Sequence, residues 1–344
     1  MRFPFSQFLF TRRLSGDTTR HRGWLPMGLA ILLTMAVVGK TETRVMAEER
    51  VVPPWPPAGK TLRVIIDTDA ATEVDDQHAL ALALVSLDRF KIEGIVAAHF
   101  GDKGGPQAIE RSYQEVLTVL EKAGLKGQIP VKRGSDPFTY SQVPPPSEGV
   151  DFIIERAMAD DPDPLWVISL GPCTDIAAAW LKEPRIQDRV IAFWHGRTQW
   201  PTKAWNFNAY NDLKAVRILF ASDLPLVLFD TGTDLTCPMQ ESERRIRPHG
   251  ALGAYLHEIR FRSPAWQAPN KGLFDLGDIA ALADPSLVAF EIVNAPSVQW
   301  DMLYDHKNTH GRMVRIFSID RDRTFDLLER RLATAAQGQT QTVP

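Results

Sequence analysis

Between residues 61 and 335 the chain switches repeatedly between two hydrophobic periods, and this limits it to few architectures. Short apolar runs at 62–66, 92–98, 165–170, 190–194, 226–229 and 314–319 read as buried strands. Segments 76–87, 106–123, 174–181, 212–221 and 323–333 carry apolar residues at helical spacing, and Pro106 suits a first helical turn. Strands alternating with helices predict an α/β fold: a single-domain, open, mostly parallel β-sheet with helices on both faces. The Pro144-Pro145-Pro146 tract reads as a loop inside that domain, which is expected to span 61–335. Ligands of open parallel sheets bind beyond the carboxyl ends of the strands. That rule directs attention to 67–76, 99–105, 171–175, 195–208 and 230–234.

Composition narrows the function classes. The 344 residues are 44% hydrophobic with a formal net charge of -3, the profile of a folded chain without the basic face that nucleic-acid binding needs. Two cysteines, Cys173 and Cys237, make no disulfide framework, and no Cys/His cluster has zinc spacing. Cys173, in the turn GPCTD, reads as a small buried residue.

The first sixty residues differ from the rest. Arg2, Arg12, Arg13, Arg20 and Arg22 precede an uncharged apolar run at 24–38, and Val45-Met46-Ala47 follows with small or apolar residues at a cleavage position. This is the order of an export signal, so 1–47 is expected to be a signal peptide or an uncleaved membrane anchor. The apolar run is shorter than the ~20 residues that span a bilayer. Arg12-Arg13 lies too far ahead of it to make a good twin-arginine signal. Residues 48–60 read as a Pro-rich linker and 336–344 as a flexible tail. The product is expected to be exported, periplasmic or secreted.

Chemistry concentrates after the first strand. Asp67, Asp69, Glu73, Asp75 and Asp76 put five carboxylates into ten residues. Packed together they would raise one another's pKa, and a hard divalent cation relieves that. Helix capping accounts for Asp75 or Asp76 but not for Asp67 and Asp69 at the strand end.

Asp67-Thr68-Asp69, then a loop, then DDQHALALAL resembles the calcium motif of the inosine-uridine preferring nucleoside hydrolases. SLGPCTDIAAAW, WNFNAYNDLKAVRILF, LGDIAALADP and MVRIFSIDRDRTFDLLERRL resemble later blocks of that family, in the same order. The resemblance implies a nucleoside hydrolase-like fold, a Ca²⁺ cofactor, and a nucleoside or related N-riboside as the small-molecule partner. It implies that Asp69 is a metal ligand and the base that deprotonates a water on the metal. Asp76 and Asp278 would be further ligands, with the backbone carbonyl of Leu170. Asp75 would face the sugar, and Asn208 would bind a ribose hydroxyl. Carboxylates beside a ribosyl group suit an oxocarbenium-like transition state.

Departures from the family are also legible. The loop Ala70-Ala71-Thr72-Glu73-Val74 is longer than usual and lacks Pro-Gly, so Glu73 is either an extra contact or exposed. Gly101 stands where an asparagine is usual, and Asn206 where a glutamate is usual. Gly277 stands where a histidine that protonates the leaving base is expected. His195, at a strand end, is the better substitute acid than His99. Trp194, with Trp200 and Trp205, is expected either to wall the base site or to pack in the core. Two readings follow: a calcium-dependent nucleoside hydrolase acting in purine or pyrimidine salvage, or a non-catalytic, calcium-stabilised sugar- or nucleoside-binding protein on the same fold. Self-association is left open.

Overall fold

β1 (Leu62–Thr68) is buried at every position, as a strand must be when both sheet faces are covered. The computed structural model describes residues 50–340. Among them are nine further strands: β2 (Phe90–Ala97), β3 (Val131–Arg133), β4 (Leu165–Ser169), β5 (Val190–His195), β6 (Leu226–Phe229), β7 (Thr236–Pro238), β8 (Asn270–Gly272), β9 (Val288–Val298) and β10 (Tyr304–Ile319). The main sheet has the order β3-β2-β1-β4-β5-β6-β10-β9, parallel except for the antiparallel edge pair β9–β10. β7 and β8 pair separately.

Chain order runs outward in one direction from β1 to β3 and in the other from β4 to β6. The connections therefore diverge between β1 and β4, and a crevice opens there beyond their carboxyl ends. The expected α/β architecture is thus present, with one addition. The charged and polar stretches 288–298 and 304–313 are strand, because β9 and β10 satisfy each other's backbone at the sheet edge. Hydrophobic periodicity had marked only the end of β10, at 314–319.

Alternation along each strand divides the core in two. Val64 and Ile66 of β1 and Phe193 of β5 pack on one side, Ile65 and Trp194 on the other. The helix Asp75–Leu84 is buried along its whole length, which explains its apolar residues on every face.

Residues 1–47, expected as an export segment, lie outside the described residues, as do 341–344. The expected linker is corrected where it is described. Arg50 is buried, and its guanidinium donates to the carbonyls of Leu219 and Phe220 at 3.0 and 2.8 Å, capping the end of the helix Leu213–Ala221. Trp55 packs against Phe290 with ring centroids 4.9 Å apart. Residues 336–340, expected as tail, continue the last helix, Arg321–Thr340.

Candidate active site

Acids enter the crevice from two elements. After β1 the chain turns on the bond from Thr72 N–H to the carbonyl of Asp69 (2.9 Å), and the Thr72 hydroxyl donates to Asp69 Oδ2 at 2.8 Å. Asp75 and Asp76 open the next helix, where Val74 holds the N-cap position without a side-chain bond. Neither acid is spent as the N-cap residue. Thr68 donates its hydroxyl to Asp76. Asp67 points to the other side, accepting from Ser169 Oγ at 3.0 Å, and lines no part of the crevice.

The second element is the start of the helix Leu276–Ala283. There Asp275, not Asp278, faces the cluster: carboxylate oxygens of Asp75, Asp76 and Asp275 lie within 4.8 Å of one another. A cavity of about 260 Å³ is lined by Asp69, Asp75, Asp76, Leu170, His195 and Asp275, among others. Asp278, expected as the last metal ligand, is outside that lining, one helical turn further in. Its Oδ2 accepts from His195 Nδ1 at 2.6 Å. The expectation for Asp278 is corrected accordingly, and so is that for Gly277. With Asp275 in the cluster, the residue preceding the late acid is Phe274. Gly277 is a packing glycine: a Cβ there would lie 2.5 Å from the Phe229 ring.

His195, the last residue of β5, lines the cavity, and its Nδ1 also lies 3.3 Å from Asp275. Trp194, its neighbour, points to the opposite face by strand alternation. It is fully buried in the second core and donates Nε1–H to the Gly171 carbonyl at 3.2 Å, so it is not a substrate contact. Trp200 packs on Tyr304, and Trp205 is exposed outside the cavity lining. Asn206 caps the helix Phe207–Asn211 by accepting from Ala209 N–H at 2.8 Å, which aims the segment into the cavity. Asn208 donates to the carbonyls of Leu170 (2.7 Å) and His195 (3.2 Å), tying the ends of β4 and β5 together. His99 lies behind, bonded to Thr174 Oγ1 at 2.7 Å, and burial lowers its pKa to about 4. Glu73 pairs with Lys271 at 2.7 Å and Lys103 at 3.4 Å across the cavity mouth.

The electrostatics follow from crowding. Burial raises Asp69 to about 6, opposed by the Thr72 hydrogen bond and assisted by the charge of Asp75. Burial and then the charges of Asp69 and Asp75 push Asp76 well up. Asp275 is driven up by burial and then by Asp75 and Asp76. Asp75 is raised by burial, with Lys271 opposing. Four buried carboxylates that suppress one another's ionisation are an all-oxygen donor set fitting a hard divalent cation, whose charge would let all four ionise.

An α/β sheet with converged carboxylates at its switch point defines a class: a protein with an all-oxygen donor set, able to hold a hard cation, in one crevice. Comparison with known proteins is more specific. The segment 64–342 matches the inosine-uridine preferring nucleoside hydrolase family, and the chain belongs to that family of N-glycosyl hydrolases. An uncharacterized protein of Schizosaccharomyces pombe is 28% identical over 219 residues, 56% of this chain and 67% of its own length. The pyrimidine-specific ribonucleoside hydrolase RihB of Escherichia coli is 29% identical over 178 residues, 49% of this chain. The match spans just over half, 54%, of that enzyme's length. Among solved structures, a purine-preferring ribonucleoside hydrolase from Gardnerella vaginalis shares the fold, with a TM-score of 0.65 at 22% identity over 80% of this chain and 99% of that one.

Sequence reading missed Asp275, Phe274, Arg197, Lys103 and Lys271 in the cavity lining. The signal for Asp275 was present. Two acids three residues apart open one helix, and the first follows its flanking residue directly, as the family's late acid does.

Proposed function

We propose that this protein hydrolyses the N-glycosidic bond of ribonucleosides or closely related N-ribosides, using Ca²⁺ held by Asp69, Asp75, Asp76 and Asp275. The observation that carries this reading is the convergence of four buried carboxylates from two distant segments on one cavity. Oxygen-only donors favour calcium over softer metals. A cation held by these carboxylates would supply Lewis acidity at the crevice.

The protein's own groups do the rest. Asp69, held by Thr72, is the base that accepts the proton of the attacking water. As the C1′–N bond breaks, positive charge builds on the sugar, and the carboxylates facing it stabilise that charge. Asn206 and Asn208 border the same cavity and contact ribose hydroxyls. Asp278 holds His195 by Nδ1, fixing the imidazole at the cavity wall. The Leu170 carbonyl already accepts from Asn208, so as a metal ligand it would use its second lone pair. We further propose that the chain is exported. Its support is the basic, apolar, small-residue order of 1–47.

Ribose release from a nucleoside panel, with and without a chelator, tests the activity. Release that stops with chelator and returns with Ca²⁺ is expected. Asp69→Asn should lower kcat ~10³-fold or more, since it removes the base. Tight nucleoside binding with no ribose release would assign the chain to the binding-protein reading. Fractionation of expressing cells tests export.

A further inference from the structure

Arg197 is a cavity residue that the metal chemistry leaves unused. It follows His195 by two positions and lines the cavity. Its backbone is in the left-handed region at φ 40, a conformation that costs energy for a residue with a side chain. The turn is held because the N–H groups of Gly196 and Arg197 both donate to the Phe229 carbonyl, at 3.0 and 2.9 Å. The guanidinium lies 3.7 Å from the centroid of the Phe274 ring. Among the described residues it makes no ion pair, whereas the other two cations of the cavity, Lys103 and Lys271, both pair with Glu73. A guanidinium lying on a ring keeps its edge N–H donors for another acceptor.

Building on the hydrolase reading, we propose that Arg197 is a catalytic residue that stabilises the departing base as an anion, and thereby favours imide-type bases, which spread the charge over two carbonyl oxygens. In the reaction the C1′–N bond breaks and its electron pair goes to the base nitrogen. A water oxygen bonds to C1′, and its proton passes to Asp69. The base anion then takes a proton, so one water is consumed and ribose and neutral base leave. Charge separates along that axis. The sugar turns positive, where the carboxylates are, and the base turns negative. A guanidinium is tolerable beside such a transition state only at the base end. Phe274, directly before Asp275, carries the guanidinium on its ring within the lining of the same cavity. Arginine stays protonated and cannot supply a proton at neutral pH, so it assists a base that leaves as an anion. An imide-type base spreads that charge onto carbonyl oxygens, which a planar fork can contact.

The test compares uridine, cytidine, uridine 5′-monophosphate and p-nitrophenyl riboside as substrates of the full chain with Ca²⁺. Wild type should prefer uridine to cytidine. Arg197→Gln should lose ~10²–10³ in kcat/KM on uridine, the effect of removing one transition-state charge contact. It should lose far less on p-nitrophenyl riboside, whose leaving anion is already stable. Millimolar guanidinium chloride should restore part of the uridine activity, and Arg197→Lys should retain an intermediate level if the Gln variant folds poorly. Equal losses on uridine and p-nitrophenyl riboside would overturn the proposal. So would a wild-type preference for uridine 5′-monophosphate that Arg197→Gln abolishes, since Arg197 would then be a phosphate contact. Wild type that releases ribose from none of these substrates overturns the hydrolase reading and this inference together.

Discussion

The imidazole of His195 bridges two acids of one helix start: Nδ1 lies 2.6 Å from Asp278 Oδ2 and 3.3 Å from Asp275 Oδ1. Asp278 therefore orients the histidine, while Asp275 belongs to the cluster with Asp75 and Asp76. The two acids should separate experimentally. Asp275→Asn is expected to weaken Ca²⁺ binding by well over ~10²-fold, and Asp278→Asn by no more than the ~10–100-fold usual on losing a supporting bond around a metal site. Titration calorimetry with Ca²⁺ reads both. Equal, large losses would return Asp278 to the ligand set.

Gly171 gives a second test. A Cβ at this position would sit 2.6 Å from Asp69 Oδ1, closer than any real contact. Gly171→Ala should displace the Asp69 carboxylate and lower kcat on the order of 10²-fold, as small misplacements of a catalytic group do. Circular dichroism should stay that of the wild type. Undiminished kcat would show that Asp69 is not the base.

The segment around Arg50 tests the domain boundary. Charged hydrogen bonds to the carbonyls that end a helix contribute about 2 kcal/mol together when buried. A chain beginning at Glu48 should melt like the full-length protein. One beginning at Thr61, or carrying Arg50→Ala, should melt several degrees lower. Identical melting of all of these would return 50–60 to the status of a linker.

His99 predicts a pH dependence of stability. It is bonded as a neutral ring, its Nε2 with Thr174 and its Nδ1 accepting the Gly101 N–H at 3.1 Å. Its folded pKa of about 4 lies below the ordinary 6.5, so the unfolded chain takes up the proton first as pH falls. Stability from this residue is complete above about pH 6.5 and is lost progressively toward pH 4, by up to about 3 kcal/mol at 1.36 kcal/mol per unit. His99→Gln should flatten that part of the curve relative to wild type, read as the difference in unfolding midpoint at pH 7.5 and pH 4.5. Parallel curves would contradict it.

Local pattern was enough for the α/β class, for the order of strands and helices along the chain, and for an acidic cluster where the first strand ends, though not for Asp67 pointing away from it. Those properties rest on period and residue type within a few neighbours, and Asp69, Asp75 and Asp76 needed nothing more. What lay beyond reach depended on direction. Trp194 and His195 are adjacent, and only the pleat of β5 sends one into the core and the other into the cavity. Asp275 and Asp278 open the same helix three residues apart, and the seating of that helix decides which faces the cluster. Arg50 is a basic residue before a Pro-rich stretch until the helix ending at Ala221 supplies carbonyls for it. Arg197 acquires its meaning from Phe274, distant in sequence and stacked against it. Sequence determined which groups are available; packing of distant segments determined which of them share one volume of low dielectric, because only there do their charges and hydrogen bonds act on one another.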